Sequence, residues 1–256
     1  MFTAKSEKDI ASMRTSGHML ASVLELLRRE AKPGLTPKDM SLLAKNELQR
    51  LGGSQAFLGQ PGPPPFPDII CISVNDAVQH SIPDDRPFEV GDVVNFDFGV
   101  TYNGMITDGG ITVCIGNQPD VDTTRLISGT AHALNEALKV VRNGCRVGDV
   151  SAVIEKTLRE YKLGIVRELS GHGVGHQLHE EPDIFNYGKA GTGPVLITGM
   201  TIAIEPIATL GSPAIYQDRD GWTLRTRDGS YAAQFEHTVL VTETGCEVLT
   251  QVREAA

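Results

Sequence analysis

The stretch Val93–Gly110, VVNFDFGVTYNGMITDGG, decides how we expect this chain to fold. Its centre, Asn103-Gly104, is the preferred dipeptide of a two-residue type I′ turn, and β-branched and aromatic residues are frequent in both arms. The sequence therefore predicts a β-hairpin that pairs Gly99 with Asp108 and Asp97 with Gly110. In this register the two aspartates are diagonal neighbours on one face, roughly 7–8 Å apart at the backbone.

Two carboxylates on an apolar hairpin have two interpretations. At a sheet edge, Asp97 and Asp108 would face solvent and need no partner. In a buried cleft they would repel each other and raise a pKa, unless a cation lay between them. The hairpin alone leaves both interpretations open, so other parts of the chain have to decide.

Two glutamates also occur in strand-like sequence. Glu205 lies in MTIAIEPIA, which is too apolar to accommodate an unpartnered charge. In YAAQFEHTVLV, the alternation of a strand places Gln234, Glu236 and Thr238 on one face. A single glutamate on a strand is usually exposed, but the two aspartates shift the balance towards one acidic cleft.

The segment GHGVGHQLHEEP supplies three histidines among glycines that permit close approach of the backbone to a site. Its spacing does not match the zinc motif HExxH. We expect His172 and His179 to reach one cleft from a loop and the following strand, and His176 to be peripheral. For any one of these histidines taken alone, a structural hydrogen bond is the better explanation until the surrounding glycines are considered, and His80 is similarly ambiguous by itself.

The donor types indicate which metals such a cleft would bind. Carboxylates with an imidazole favour Mn(II), Fe(II), Co(II) or Zn(II) over metals that prefer thiolates. Four carboxylates carry about four negative charges near neutral pH, which two divalent ions would neutralise. Two metal ions therefore fit the charge better than one.

Helical periodicity and capping residues predict a pair of helices in each half of the chain, from Ser6 to Pro33, Pro37 to Leu51, Arg125 to Val141 and Val150 to Tyr161. Strands are predicted at Ile69–Val74, Val93–Tyr102, Met105–Ile115, Met200–Thr209 and Tyr231–Val241. Four residues of the first half, Gly34, Asp39, Ser41 and Leu48, recur 110 positions later as Gly144, Asp149, Ser151 and Leu158. We therefore expect one domain, residues 1–256, made of pseudo-repeat halves at about 1–120 and 121–256.

The composition is that of an ordinary globular protein, with 40% hydrophobic and 21% charged residues. A net charge of −9 argues against broad binding to a nucleic-acid backbone. No secretory signal or membrane-length apolar run is visible in the sequence. The four cysteines form no CxxC pair, which favours reduced thiols and a cytoplasmic location.

Six segments contain the candidate residues in order: HSIPDD, NFDFGV, ITDG, GHGVGHQLHEEP, AIEP and QFEHT. Together they resemble the methionine aminopeptidases of the pita-bread fold, over nearly the whole chain. The short spacing between Glu205 and Glu236 is similar to that of the first kind of these enzymes, which lacks a helical insertion there. The resemblance implies an α+β fold with two pseudo-symmetric αβ halves around a strongly curved antiparallel sheet.

The same resemblance implies a site with two divalent ions, which would be Co, Mn, Fe or Zn. Asp97 would chelate one ion, Asp108 and Glu236 would bridge the pair, and His172 and Glu205 would complete the other. Glu205 would also transfer a proton, while His179 would hydrogen-bond the developing oxyanion and His80 the scissile nitrogen. The methionine pocket would be lined by Phe66, Cys71, Leu178 and Trp222.

The resemblance further implies partners and a cellular setting. The substrates would be N-terminal methionyl peptides of nascent chains, with the ribosome as a partner. We expect a cytoplasmic monomer with no membrane and no sequence-specific nucleic acid among its partners.

Three departures from the family pattern leave the shape of the methionine pocket open. Ser81 stands where glycine is usual, His176 stands where arginine is common, and the loop Gly59–Pro67 is longer and lacks its first aromatic residue. Two other functions are compatible with the chain: a proline-directed aminopeptidase of the same fold, and a non-catalytic pita-bread module that binds protein or RNA.

Overall fold

The computed structural model describes residues 4–62 and 64–251. Its four helices are α1 (Glu7–Glu30), α2 (Pro37–Leu51), α3 (Val121–Val140) and α4 (Val147–Glu160). All four predicted helices are confirmed, but the second pair begins earlier than predicted. The Asp120 side chain accepts a hydrogen bond from the Thr123 N–H (2.7 Å) and caps α3. At α4 the Asp149 carboxylate accepts from the Arg146 N–H (2.8 Å), which starts that helix before Val150.

The described residues form fifteen strands, most of them short. They are β1 (Ser54–Gln55), β2 (Ile70–Val74), β3 (Ala77–Gln79), β4 (Val93–Tyr102), β5 (Met105–Cys114), β6 (Gly164–Ile165), β7 (Ser170–Gly173), β8 (Glu180–Phe185), β9 (Thr201–Ile204), β10 (Ile207–Thr209), β11 (Ile215–Gln217), β12 (Leu224–Thr226), β13 (Ala232–Gln234), β14 (Glu236–Val241) and β15 (Cys246–Val248).

Nine of these strands form one antiparallel sheet. Its main order is β1-β4-β5-β14-β9-β7-β8, with β2 on β4 and β15 on β14. Strands from both halves of the chain meet where β5 pairs with β14. Helices together with antiparallel sheets confirm the predicted α+β class, whereas the strong curvature of the sheet stays a prediction.

The predicted hairpin is confirmed residue by residue. Strands β4 and β5 pair along their whole length, with Gly99 opposite Asp108 and Asp97 opposite Gly110. Asn103 (φ 51°) and Gly104 (φ 79°) both have left-handed backbone conformations, as a type I′ turn requires. The turn therefore sets the register that brings the two aspartates together.

Two predicted strands are wrong, because each is interrupted at a candidate ligand. The predicted strand Met200–Thr209 divides at Glu205-Pro206, where proline has no N–H to donate to a ladder. The predicted strand Tyr231–Val241 divides at Phe235. On one side of these breaks, β9 and β14 belong to the nine-stranded sheet; on the other, β10 and β13 pair in a three-stranded sheet with β6. Both glutamates thus lie where the chain passes from one sheet to the other.

Each pair of helices covers its own hydrophobic core. Leu20 and Met40 of the first pair belong to a buried cluster with Phe96 of β4. Leu126 and Ile154 of the second pair belong to another buried cluster, with strand residues of the second half. Each half of the sheet therefore packs against its own pair of helices through a separate hydrophobic core.

The four residues that recur 110 positions apart occupy matching places. Gly34 (φ 89°) and Gly144 (φ 82°) both have left-handed backbones ahead of α2 and α4. The carboxylates of Asp39 and Asp149 each accept a hydrogen bond from the backbone N–H three residues earlier, at 2.9 and 2.8 Å. The serine and leucine of each set are buried. Division into two pseudo-repeat halves of one domain stays a prediction that agrees with these observations.

Within residues 4–62 and 64–251, no helix combines the length and apolar character needed to cross a membrane.

Candidate active site

A cavity of about 590 Å³ contains all eleven predicted site residues in its lining. The predicted metal ligands are Asp97, Asp108, His172, Glu205 and Glu236, and the other predicted residues are His80, His179, Phe66, Cys71, Leu178 and Trp222. The solvent-edge interpretation of the two aspartates is wrong, since both side chains are buried here. The structure thus brings the set together, while the role of each residue stays a prediction.

The five acidic and imidazole side chains come from both halves of the sheet. Asp97 and Asp108 come from the long hairpin, and Glu236 is the first residue of β14, opposite Gly110. His172 lies on β7 opposite Ala203, and Glu205 directly follows β9. Five consecutive strands of one sheet, in the order β4-β5-β14-β9-β7, therefore position these residues, with Glu205 just beyond the end of β9.

The distances within this cluster suit a metal ion. Ligand atoms of Asp108, His172 and Glu236 all lie within 4.8 Å of one another. The Nε2 atom of His172 is 3.7 Å from Glu205 Oε1 and 3.9 Å from Asp108 Oδ2. An ion about 2.0–2.2 Å from each nitrogen and oxygen ligand would fit between atoms at such separations.

The electrostatics of the cluster also favour a cation. Burial raises the pKa of Asp97 to about 7. Burial is likewise the main cause that raises the pKa of Asp108, Glu205 and Glu236 well above the ordinary range, and nearby carboxylates add to it. Among the described residues, Asp97 Oδ1 and Glu236 Oε1 are buried without a hydrogen-bond partner. Carboxylate oxygens left in this state are suitable metal ligands.

The ring of His172 is oriented as a metal-binding imidazole would be. Its Nδ1 atom lies 2.9 Å from the Gly173 carbonyl oxygen. Donation of the Nδ1–H to that carbonyl leaves the lone pair of Nε2 directed at the acids. Burial and then His179 lower the pKa of His172 to about 4, so the ring is neutral near pH 7.

His80 and His179 lie on the wall of the same cavity. The rings of His179 and His172 meet edge to face, with centroids 4.4 Å apart. Burial, followed by the effect of His179, lowers the pKa of His80 to about 4; burial also lowers the pKa of His179. Each neutral ring can still donate one N–H. His176 is peripheral, as expected, with a side chain that is 59% exposed and 3.9 Å from Asp9.

An apolar pocket adjoins these polar groups. Phe66, Cys71 and Leu178 are buried in one cluster, and Trp222 packs against it. The Trp222 ring meets Phe66 edge to face at 5.1 Å, and its Nε1–H donates to the Pro64 carbonyl (2.7 Å). The proline-rich loop is therefore fastened to the turn that carries Trp222.

Sequence reasoning missed two apolar residues of this cavity, Phe57 and Ile106. Ile106 is two residues before Asp108 on β5, so the alternation that located the aspartate could also have located it. Phe57 lies outside every strand and helix and carries no repeat or motif. We find no sequence signal that would have identified Phe57.

The loop that carries His179 is held by a lysine near the start of the chain. The Lys5 ammonium group binds the Glu180 carboxylate (2.5 Å), and the Lys5 side chain is only 2% exposed. The other carboxylate oxygen of Glu180 accepts from the backbone N–H groups of His176 (2.7 Å) and Gln177 (3.0 Å). These contacts hold the residues on either side of His179. No sequence pattern predicted this role for Lys5.

Comparisons with known proteins agree with this geometry. The sequence model of metallopeptidase family M24 matches residues 11–243. A protein of Aquifex aeolicus named methionine aminopeptidase is 37% identical over 255 residues, covering 96% of this chain and 98% of its own. The crystal structure of methionine aminopeptidase from Thermotoga maritima superimposes with a TM-score of 0.95 at 38% identity, covering 98% of this chain and 100% of that one.

A more distant structure has the same fold. The prolidase of Pyrococcus furiosus superimposes with a TM-score of 0.78 at 22% identity, covering 98% of this chain and 66% of that one. At this identity the likeness shows the fold alone. The six motifs, the family match and the nearly full-length relatives together confirm the expected family: the chain belongs to metallopeptidase family M24, the metal-dependent peptidases with the pita-bread fold.

Proposed function

We propose that this chain is a dinuclear-metal aminopeptidase that hydrolyses the N-terminal methionine from nascent proteins and peptides. The observation that carries the proposal is one cavity in which a buried cluster of four carboxylates and an imidazole adjoins an apolar pocket. The named relatives support the choice of methionine as the residue that is removed.

The proposed metal ligands keep the division implied by the family motifs. Asp97 would hold one ion, Asp108 and Glu236 would be shared by the two ions, and His172 and Glu205 would hold the other. When bound, two divalent ions supply a water nucleophile near neutral pH and polarise the scissile carbonyl. The clustered ligand atoms and the two unpartnered carboxylate oxygens support this assignment.

The remaining steps are proton transfers and hydrogen bonds made by this chain. Glu205 accepts a proton from the attacking water and passes it to the leaving amine. The neutral ring of His179 donates an N–H to the carbonyl oxygen as negative charge develops on it, and His80 hydrogen-bonds the scissile nitrogen. Both contacts strengthen in the transition state, because that is where the charge changes.

The apolar pocket accounts for the side-chain preference. Phe66, Leu178 and Trp222 offer apolar surface, and burial raises the pKa of the Cys71 thiol so that it stays uncharged. A thioether side chain packs well against such a lining. A charged side chain would lose its hydration there without gaining a partner, so we expect it to be rejected.

The cellular setting follows from the same proposal. The enzyme acts in the cytoplasm as a monomer on nascent chains at the ribosome, and residues 1–256 serve as one catalytic domain with two pseudo-repeat halves. The four cysteines are free thiols, which supports a reducing compartment.

Peptide hydrolysis by a reconstituted preparation tests the proposal. Metal-free protein is loaded with Mn(II) or Co(II), and kcat/KM is measured for a peptide beginning Met-Ala and another beginning Ala-Pro. We expect release of methionine from the first peptide and little cleavage of the second. Preference for the Ala-Pro peptide would indicate a proline-directed enzyme, and metal binding without hydrolysis would indicate a non-catalytic module.

A further inference from the structure

We infer that Gln234 is a positioning residue: its side-chain amide holds the glutamate ligand Glu236, and Asn95 sets the direction in which that amide faces. The inference rests on the proposed function, because it gives Glu236 the metal-binding role assigned above. It adds a residue that touches neither substrate nor metal.

The amide nitrogen of Gln234 contacts Glu236 directly. Its Nε2 donates to Glu236 Oε2 at 2.9 Å. A carboxylate only accepts hydrogen bonds, so the amide nitrogen, and not the amide oxygen, has to face Glu236.

The contact with Glu236 occupies one oxygen and leaves the other available. Oε1 of Glu236 is buried and has no hydrogen-bond partner among the described residues, whereas Oε2 accepts from Gln234. A carboxylate held at one oxygen cannot rotate freely about its terminal bond. The free oxygen is thus kept in a fixed direction in the cavity.

Asn95 determines the orientation of this amide. Its Nδ2 donates to Gln234 Oε1 at 2.9 Å, and the backbone carbonyls of Ile111 and Gln234 lie 3.2 Å from the same nitrogen. Surrounded by acceptors, the Asn95 nitrogen has to point towards Gln234 Oε1. If the Gln234 amide turned over, its oxygen would face the Glu236 carboxylate. Both side chains are buried, at 0% and 2% exposure, so unpaired groups there would be costly.

The backbone of Gln234 is held from the hairpin as well. The Thr112 hydroxyl donates to the Gln234 carbonyl (2.6 Å) and accepts from the Gln234 N–H (3.0 Å). Thr112 and Asn95 are paired across the β4–β5 ladder. The hairpin that carries the aspartates therefore also fixes the glutamine that aligns Glu236.

Gly110 provides the space for this amide. A Cβ atom at residue 110 would lie 2.1 Å from Gln234 Oε1 and 2.8 Å from its Cδ, both too close. Gly110 is also the residue opposite Glu236 in the sheet. Any side chain at position 110 would have to displace the Gln234 amide from the position in which it donates to Glu236.

A purely space-filling role for Gln234 makes a different prediction. If the side chain only filled volume, an apolar residue of similar length would leave metal binding unchanged. If its N–H groups align Glu236, their removal should weaken metal binding and alter the coordination geometry. Loss of a hydrogen-bonding partner of a metal ligand typically costs ~10–100-fold in metal affinity.

The variant Gln234→Met separates the two roles, because methionine keeps the length of glutamine without its N–H groups. Asn95 Nδ2 retains the nearby carbonyl acceptors, so we expect the variant to fold. Affinity for Mn(II) is measured by calorimetry on metal-free protein, and geometry by the visible spectrum of the Co(II) form. We expect affinity to fall ~10–100-fold and the Co(II) bands to change.

A matched control removes a buried hydrogen-bonding group elsewhere. Thr209 is fully buried, and its hydroxyl bonds only to the carbonyls of Gly211 and Ser212 among the described contacts. Thr209→Val should keep wild-type metal affinity and spectrum even if its melting temperature falls. An equal loss of affinity in Thr209→Val would overturn the assignment, since general destabilisation would then account for the effect.

A second variant displaces the same amide without removing any hydrogen-bonding group. Gly110→Ala should weaken Mn(II) binding and change the Co(II) spectrum, and it decides the question if Gln234→Met fails to fold. The double variant should be no worse than Gln234→Met alone, because both changes act on one amide. Wild-type affinity and an unchanged spectrum in Gln234→Met, or in a folded Gly110→Ala, overturn the inference.

The wild-type protein distinguishes this inference from the proposed function. If it binds two ions and releases methionine while the variants match it, the positioning role alone is wrong. If the wild-type protein neither binds metal nor hydrolyses peptides, the proposed function is wrong and the inference falls with it.

Discussion

The two halves of the chain supply ligands to one site in different ways. The first half supplies Asp97 and Asp108 from the interior of two ten-residue strands in unbroken register. The second half supplies His172, Glu205 and Glu236 from short strands of four to six residues, or from positions just beyond them. In the first half the ladder determines where a ligand lies. In the second half, breaks between sheets and side-chain contacts do so.

The ligands of the two halves are therefore held in place by different interactions. The aspartates depend on a turn and a register that exist without any metal. Glu236, by contrast, accepts a hydrogen bond from Gln234, and we expect the effect of this contact to appear only when the direction of the carboxylate matters. Substitutions in the hairpin ligands should therefore remove the site without removing the fold.

The largest expected effect comes from deleting a hairpin ligand. Asp97→Ala or Asp108→Ala should lose bound metal and peptide hydrolysis, because no other group in the cluster replaces the missing oxygen atoms. The hairpin should still form, since its register depends on Asn103-Gly104. Metal content and far-UV circular dichroism are the measurements. Wild-type metal occupancy in either variant would contradict the ligand assignment.

A smaller effect is expected for His80, from the first half, and for His179, from the second half, which both line the cavity. His80→Ala and His179→Ala should retain both metal ions yet lose ~10²-fold in kcat, the usual cost of removing a donor that acts on developing charge. Metal analysis and steady-state kinetics with a Met-Ala peptide test this. An empty metal position, or a change confined to KM, would require different roles for the two residues.

The free energy of unfolding of metal-free protein should depend on pH because Asp97 is buried. Burial raises the pKa of Asp97 from 3.8 to about 7. Between these two pH values the Asp97 carboxyl is protonated in the folded state and ionised in the unfolded state. The contribution of Asp97 to the free energy of unfolding thus falls as pH rises from about 4 to about 7.

The matched variant Asp97→Asn lacks this titration. Its melting temperature, relative to that of wild-type protein without metal, should rise across the same pH range and level off above it. Thermal melts of both proteins with a chelator present provide the comparison. A difference that does not vary with pH would contradict the raised pKa.

The smallest expected effect compares the repeated capping sites of α2 and α4. Asp39 caps α2 through contacts with Thr36 alone among the hydrogen bonds described for it. Asp149 accepts from the Arg146 N–H and also from the Gly191 N–H (2.7 Å), which ties α4 to a loop. Asp149→Ala should therefore lower the melting temperature more than Asp39→Ala. Equal shifts would show that the contact with Gly191 adds nothing.

The sequence predicted the hairpin better than the second half for a physical reason. A type I′ turn and strand alternation are local, so Asn103-Gly104 suffices to place Asp97 opposite Gly110. At Glu205-Pro206, by contrast, the strands before and after the break belong to different sheets. No local sequence pattern shows which sheet a strand will join. Likewise Lys5 and Phe57 enter the site through contacts with residues distant in sequence.

Recognition of the family motifs supplied what local patterns could not. The spacing of His172 and His179 indicated a shared cleft, but only the set of six motifs associated them with Glu205 and Glu236. The function of Gln234 was not predicted, although alternation had placed it on the same face as Glu236. A pattern of faces shows which side chains are neighbours but does not show which of them hydrogen-bond.

The buried contact between Lys5 and Glu180 has a practical consequence for handling the protein. Lys5 also donates its backbone N–H to the Gly199 carbonyl (2.8 Å), so both the backbone and the side chain of Lys5 are held in place. A purification tag or fusion partner attached ahead of this residue would pull on the loop that bears His179. Tags at the opposite terminus are the safer choice for kinetic work, and activity lost through a leading tag should return after its proteolytic removal.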